Sequence, residues 1–172
     1  MFEKLVKERY SVRKYSQKPI EEEKLKKILE VGRLSPTAAN LQPQVVYVLQ
    51  SEEAMAKARS VTRMMFNAPM ALLVCYDDTK SWKGTAFNDP EYDDGPIDGA
   101  IVTSTMMMQA TELGLGSLWV RGYCEQDVVE AFNLPPHIHS VCFLVLGYPD
   151  ETSVPSTKHN SRKPLEETVK YI

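Results

Sequence analysis

Cysteine is scarce and scattered through this chain. Cys75, Cys124 and Cys142 are odd in number and never form CxxC. A disulfide framework and a zinc knuckle are therefore not expected, and a reducing cytoplasm is the default setting. Charge of one sign is equally short: Lys+Arg 20 stand against Asp+Glu 23, a formal net charge of -3. That balance gives no drive toward non-specific nucleic-acid binding, and no acidic tract marks a disordered tail. Long hydrophobic runs are missing too. The strongest, MALLVCY and VCFLVLG, are too short to span a bilayer. The opening MFEKLVKERYSVRKYS carries charges throughout and so lacks the apolar stretch of a signal peptide. Gly 8 and Pro 11 are ordinary counts that exclude collagen-like and low-complexity chains. Neither a membrane nor a nucleic acid is an expected partner.

What is present is the material of a core. With 172 residues, 43% hydrophobic and 25% charged, the chain reads as one globular domain over 1–172. Leu25, Ile28, Leu29 and Gly32 fall at helical spacing behind three glutamates, which suit a helix N-terminus, and Pro36 lies just past the end. Residues 44–50 and 140–148 read as strands, 117–120 as a short one, and 70–77 as a strand apolar enough for burial on both faces. Helices are expected over 52–64, 97–113 and 125–134, the last stopped by Pro135 and Pro136. The 97–113 segment puts Ile97, Ala100, Ile101, Ser104, Met108 and Thr111 on one stripe and Met106 and Met107 on the other side. A helix with so little polar surface belongs in a core or against a partner chain. Residues 78–96 lose periodicity and read as a functional loop or lid. The proline-bearing stretch from 149 to 164 is either frayed or held against something. Mixed helices and strands give an α+β or α/β layered domain.

Four segments could carry chemistry. Arg9-x-Ser11-x-Arg13, if extended, turns two guanidinium groups and a hydroxyl to one face, an anion cradle built on paired donors. Taken alone it reads more readily as a solvated basic edge. SPTAANLQPQ (35–44) is a rigid helix-to-strand loop in which Asn40 and Gln42 could read the polar edge of a planar heterocycle, or simply connect two elements. ELGLGSLWVRGY (112–123) has its glycines after a helix and before a strand, the wrong order for a dinucleotide fingerprint, so a Rossmann reading is rejected. Gly122 could instead let backbone N–H groups approach a ligand closely. SRKP (161–164) alone is a solvated pair of charges. DPEYDDG (89–95) is not a calcium loop, because the glycine is misplaced and Ala100 stands where glutamate is required. His137 and His139 have no third ligand nearby, so no metal is expected. No GxSxG, P-loop or catalytic Cys–His pair occurs.

Taken in order, ERYSVRKY, SPTAANLQPQ, NAPMALLV, IDGAIVTSTMMMQATELGLGSLWVRGY and SRKPLEETV resemble the nitroreductase family of flavin enzymes over essentially the whole chain. The resemblance implies an α+β sandwich, with a mostly antiparallel central sheet flanked by helices, in an intertwined homodimer with two FMN sites at the subunit interface. Arg9, Ser11 and Arg162 would hold the FMN phosphate, and Arg13 would approach the ribityl chain or pyrimidine ring. Pro36, Thr37, Ala38 and Asn40 would come from the other subunit, and backbone groups of Trp119, Arg121 and Gly122 would lie beside the ring. The methionine-rich helix would be the central dimer helix.

The implied activity is electron transfer from NADH or NADPH to nitroaromatics, quinones or similar flat electrophiles by a ping-pong mechanism. The flavin carries the electrons, so no catalytic side chain is demanded. Two alternatives stay open: a specialised flavin enzyme of the same fold (dehalogenase, enone reductase or flavin-fragmenting), and a non-catalytic flavin-binding module. Three positions depart from the family pattern. Gln44 stands where a tryptophan is frequent, Arg121 where larger members carry glutamate, and Asn160 where many carry a lysine two positions before the tail arginine. The last exchange subtracts one cation from the expected phosphate site.

Overall fold

The computed structural model describes residues 2–172. Its centre is a four-stranded antiparallel sheet in the order β1-β2-β4-β3, built from β1 (Gln44–Leu49), β2 (Met70–Asp77), β3 (Gly116–Val120) and β4 (Ile138–Gly147). Alternation along β2 explains the layers. Ala71, Leu73 and Cys75 face one hydrophobic cluster while Met70, Leu72 and Val74 face the other, as period-two side chains must. Met55 and Ala58 of α3 (Glu52–Val61) and Val128 of α5 (Glu125–Phe132) complete the first cluster. Leu25 and Ile28 of α2 (Glu22–Arg33) and Val102 and Met106 of α4 (Gly95–Glu112) complete the second. The sheet is therefore covered on both faces, which is why the two middle strands are apolar almost throughout. Phe143, fully buried between Tyr123 and Phe132, is worth about 1.5–3 kcal/mol of burial on its own. Gly32 lets α2 reach α4: a Cβ there would lie 2.9 Å from Met106 Cγ and Sδ.

The two sheet edges are treated differently. After α1 (Phe2–Glu8) the chain becomes extended; Ser11 forms a parallel bridge with Ser117, and the Val12 N–H donates to Ser117 O at 3.1 Å. The edge of β3 is thus partly covered, whereas among the described residues β1 pairs only with β2. The stretch after β4 is held rather than frayed. Tyr15 bridges Pro149, the Asp150 N–H donates to Lys14 O at 3.0 Å, and the tail ends in a single turn, α6 (Leu165–Thr168).

Some element ends differ from the sequence expectation. The expected helix over 52–64 stops at Val61, because Thr62 is extended and its Oγ1 donates to Gly122 O at 2.9 Å. A 3-10 turn over Arg63–Met65 follows. α5 is ended by Asn133 in the left-handed region (φ 50), before the prolines are reached. α4 begins at Gly95, two residues early, with proline in its first turn. The loop before it holds a 3-10 turn over Gly84–Phe87 and clusters Trp82 with Phe87 and Tyr92. The structure also says which side of α4 faces the sheet. Asp98, Val102, Met106 and Ala110 face inward, while Ile97 (48% exposed) and Ile101 (37%) have no cover within the chain.

Candidate functional site

The extended segment after α1 and the returning tail enclose a cleft of about 280 Å³ beside β3. Arg9, Tyr10, Ser11 and Arg13 line it from one side, and Ser156, Lys158, His159 and Arg162 from the other. Four sequence-predicted residues, Arg9, Ser11, Arg13 and Arg162, therefore meet. No carboxylate lines the cleft, and none of its four permanent cations enters an ion pair among the described residues. Burial, and after it repulsion from the Arg162 guanidinium, hold Arg9 below the ordinary arginine value. Like charges gathered without a counterion are costly, and a bound anion removes that cost. This donor set suits a phosphate monoester, which guanidinium groups meet through paired N–H donors.

Lys158 and His159 were not legible as members of this cleft. They are brought there by the tail's own hydrogen bonds. The His159 N–H donates to Ser156 O (2.8 Å), the Ser161 N–H to Lys158 O (3.1 Å), and Tyr10 OH to Ser153 Oγ (3.1 Å). His159 Nε2 lies 3.0 Å from Lys7 O. Because a carbonyl only accepts, Nε2 carries the proton and ties the turn to the end of α1.

The second predicted group, Pro36, Thr37, Ala38 and Asn40, forms a stiff loop leading into β1. Ala39 (φ 49), Asn40 (φ 55) and Gln42 (φ 53) are all left-handed without a glycine among them, a strained backbone that its surroundings must hold. Thr37 Oγ1 accepts from the Gln42 N–H at 3.0 Å, and the Ala38 N–H donates to Asp98 Oδ1 at 2.9 Å. Asp98 is a further residue the sequence did not mark. None of residues 36–42 lines the cationic cleft. The loop feeds one edge strand and the cleft flanks the other, so three strand spacings, about 14 Å, separate them across the sheet.

The third group follows β3 away from the cleft. β3 runs on from the Ser11–Ser117 bridge, so Arg121 lies about 13 Å beyond Ser117, whereas the segment after Ser11 turns toward the other end of the strand, where Val12 lies against Gly116 and Tyr15 bridges Pro149. The Arg121 side chain is engaged: it pairs with Glu125 at 2.9 Å and lies 4.4 Å from the centroid of the Tyr123 ring. Gly122 packs closely on Met64: a Cβ there would lie 2.8 Å from its Sδ, so a larger residue would make that flexible side chain shift. Its carbonyl accepts from Thr62, and its N–H makes no hydrogen bond among the described residues.

The cationic cleft beside one edge of the sheet is found on an antiparallel sandwich shared with known proteins. Residues 6–63 and 61–148 match the model of the nitroreductase family, and the chain belongs to that family. A solved nitroreductase family protein from Clostridium difficile 630 superposes with a TM-score of 0.91 at 38% identity, over 99% of this chain and 97% of that one. An FMN-dependent nitroreductase from Clostridium difficile R20291 gives 0.76 at 26% identity, over 97% and 96%. A relative from Methanothermobacter thermautotrophicus, provisionally named NADH dehydrogenase/NAD(P)H nitroreductase, is 31% identical over 153 residues, 85% of this chain and 76% of its own length.

Proposed function

We propose that this chain is an FMN-dependent oxidoreductase that takes electrons from NADH or NADPH and passes them to flat electrophiles such as nitroaromatics or quinones. The observation that carries the reading is the carboxylate-free cleft of Arg9, Arg13, Lys158 and Arg162 beside β3, the strand that leads on to Gly122, whose N–H makes no hydrogen bond among the described residues. Arg9, Ser11 and Arg162 hold the phosphate, and Arg13, on the same cleft, faces the ribityl or ring end. Backbone groups at Trp119, Arg121 and Gly122 offer hydrogen bonds to the ring edge. FMN, when bound, supplies the two-electron chemistry, so the chain needs only to bind, orient and exclude. Donor and acceptor would use the same face in turn, which is a ping-pong cycle. The names of the relatives from Clostridium difficile and Methanothermobacter support FMN and NAD(P)H respectively. The working unit is a homodimer of single-domain chains, with Pro36, Thr37, Ala38 and Asn40 serving the partner's cleft. Three free cysteines suit a reducing cytoplasm.

Purified protein is expected to be yellow and to release FMN, not FAD, on denaturation. NADH or NADPH should bleach the chromophore without air, and an added quinone or nitroaromatic should restore it. A colourless protein that cannot be reconstituted with FMN overturns the reading. A flavin that binds but never bleaches favours a non-catalytic flavin-binding module.

A further inference from the structure

We propose that Lys158 is the tail's second phosphate-binding cation, filling the role that Asn160 leaves neutral; the assignment rests on the flavin reading above. The geometry of the tail turn carries it. The Ser161 N–H donates to Lys158 O at 3.1 Å, so residues 158–161 form a hydrogen-bonded β-turn whose first and last Cα atoms lie within about 7 Å. Lys158 and Arg162 thereby stand side by side at the base of the turn and both line the cleft, whereas Asn160 sits at the tip and does not. A lysine four residues before the arginine thus reaches the place that a lysine two residues before it would occupy in an unturned segment.

The turn is not free to carry Lys158 elsewhere. The Lys158 N–H donates to Ser156 Oγ at 3.3 Å, and His159 Nε2 donates to Lys7 O at 3.0 Å while its ring packs edge-on against Tyr10. The Lys158 ammonium faces a cleft without a carboxylate and enters no ion pair among the described residues. A phosphate monoester carries close to two negative charges near neutral pH. It would meet Arg9 and Arg162 as paired donors and Lys158 as a point charge.

The test is a fluorescence titration of apo-protein with FMN and, separately, with riboflavin, which lacks the phosphate. Lys158→Gln should weaken FMN binding about tenfold and leave riboflavin binding unchanged, so the preference for FMN falls by the same factor. Unchanged riboflavin binding also reports a folded site. Steady-state titration with NADPH and NADH distinguishes the other source of a phosphate monoester. If Lys158→Gln raises KM for NADPH alone and leaves the FMN titration intact, the lysine serves the nucleotide's extra phosphate and the assignment is overturned. An undiminished preference for FMN over riboflavin also overturns it, with the flavin reading left standing. Wild-type protein that binds neither flavin overturns both.

Discussion

Asp98 is 2% exposed, and its two carboxylate oxygens are unequal: Oδ1 accepts the Ala38 N–H, while Oδ2 has no partner among the described residues. Burial raises its pKa above the ordinary aspartate value; the Ala38 N–H opposes that shift, and the nearby Asp94 and Asp93 add to it. The folded state therefore keeps the proton to a higher pH than the unfolded chain does. The cost of the ionised group grows as pH climbs through that interval and is fully present above it. Asp98→Asn keeps an acceptor for Ala38 and removes the charge, so it should be neutral or stabilising at pH 7. Asp98→Ala removes the acceptor from a strained loop and should cost about 1–2 kcal/mol in urea unfolding. Equal losses in both variants would contradict this account. At this scale the basic residues were the legible ones. Alternation puts Arg9, Ser11 and Arg13 on one face without separating a cradle from a solvated edge, and it is the family resemblance that joins Arg162 to them. Asp98 was not legible, because an acid in a first helical turn reads as an ordinary partner of the helix dipole. Lys158 was hidden because a turn, not a repeat, brings it beside Arg162.

Between elements, the seam of α2 with the end of β4 is polar and depends on one phenol. Tyr148 OH donates to Glu21 Oε2 at 2.5 Å and accepts from Lys24 Nζ at 2.7 Å, and Lys18 Nζ lies 4.1 Å from the ring centroid. The Tyr148 hydroxyl chiefly, then the backbone N–H of Glu21 itself, and then Lys18 bring the Glu21 pKa down to about 2. A depressed carboxylate stabilises the fold above its ordinary range, and that contribution is lost as pH falls from there toward about 2. Tyr148→Phe should therefore lower Tm at pH 6–7, and the deficit should shrink as the pH drops below about 3. A deficit independent of pH would assign the effect to packing alone. The elements themselves were more legible than their ends. The α2 stripe and the bounds of β2 follow from period and burial, because one buried face or two imposes a repeat on the sequence. Helix ends were set by things a repeat does not encode: Thr62 reaching Gly122, and Asn133 turning left-handed. α4 is apolar on both sides, so periodicity found a stripe but could not say which one faces the sheet.

For the whole molecule, the outward stripe of α4 and the separation of the two site groups point the same way. Ile97 and Ile101 are uncovered, and a groove of about 450 Å³ between α1 and α4 is lined by Phe2, Leu5 and Thr111 together with the charged Lys4, Glu8 and Glu112. No helix among the described residues is long and apolar enough to cross a membrane. A second copy of the chain would cover this face and, through two-fold symmetry, set each Pro36–Asn40 loop against the other chain's cleft. Damage to the two groups should then complement. One variant would combine Arg9→Ala with Arg162→Ala, and another would carry Ala38→Trp; each alone should be nearly inactive. In a mixed dimer, one site takes both defects and the other takes neither. Random mixing makes about half of all dimers mixed, each with one intact site of two, so co-refolded protein should recover roughly a quarter of wild-type activity. If both groups instead served one site within a chain, every site in the mixture would stay damaged and no activity would return. Recovery is thus a direct reading of which chain supplies which half. Light scattering that finds a monomer, or confirmed mixed dimers without recovery, would reject the shared site.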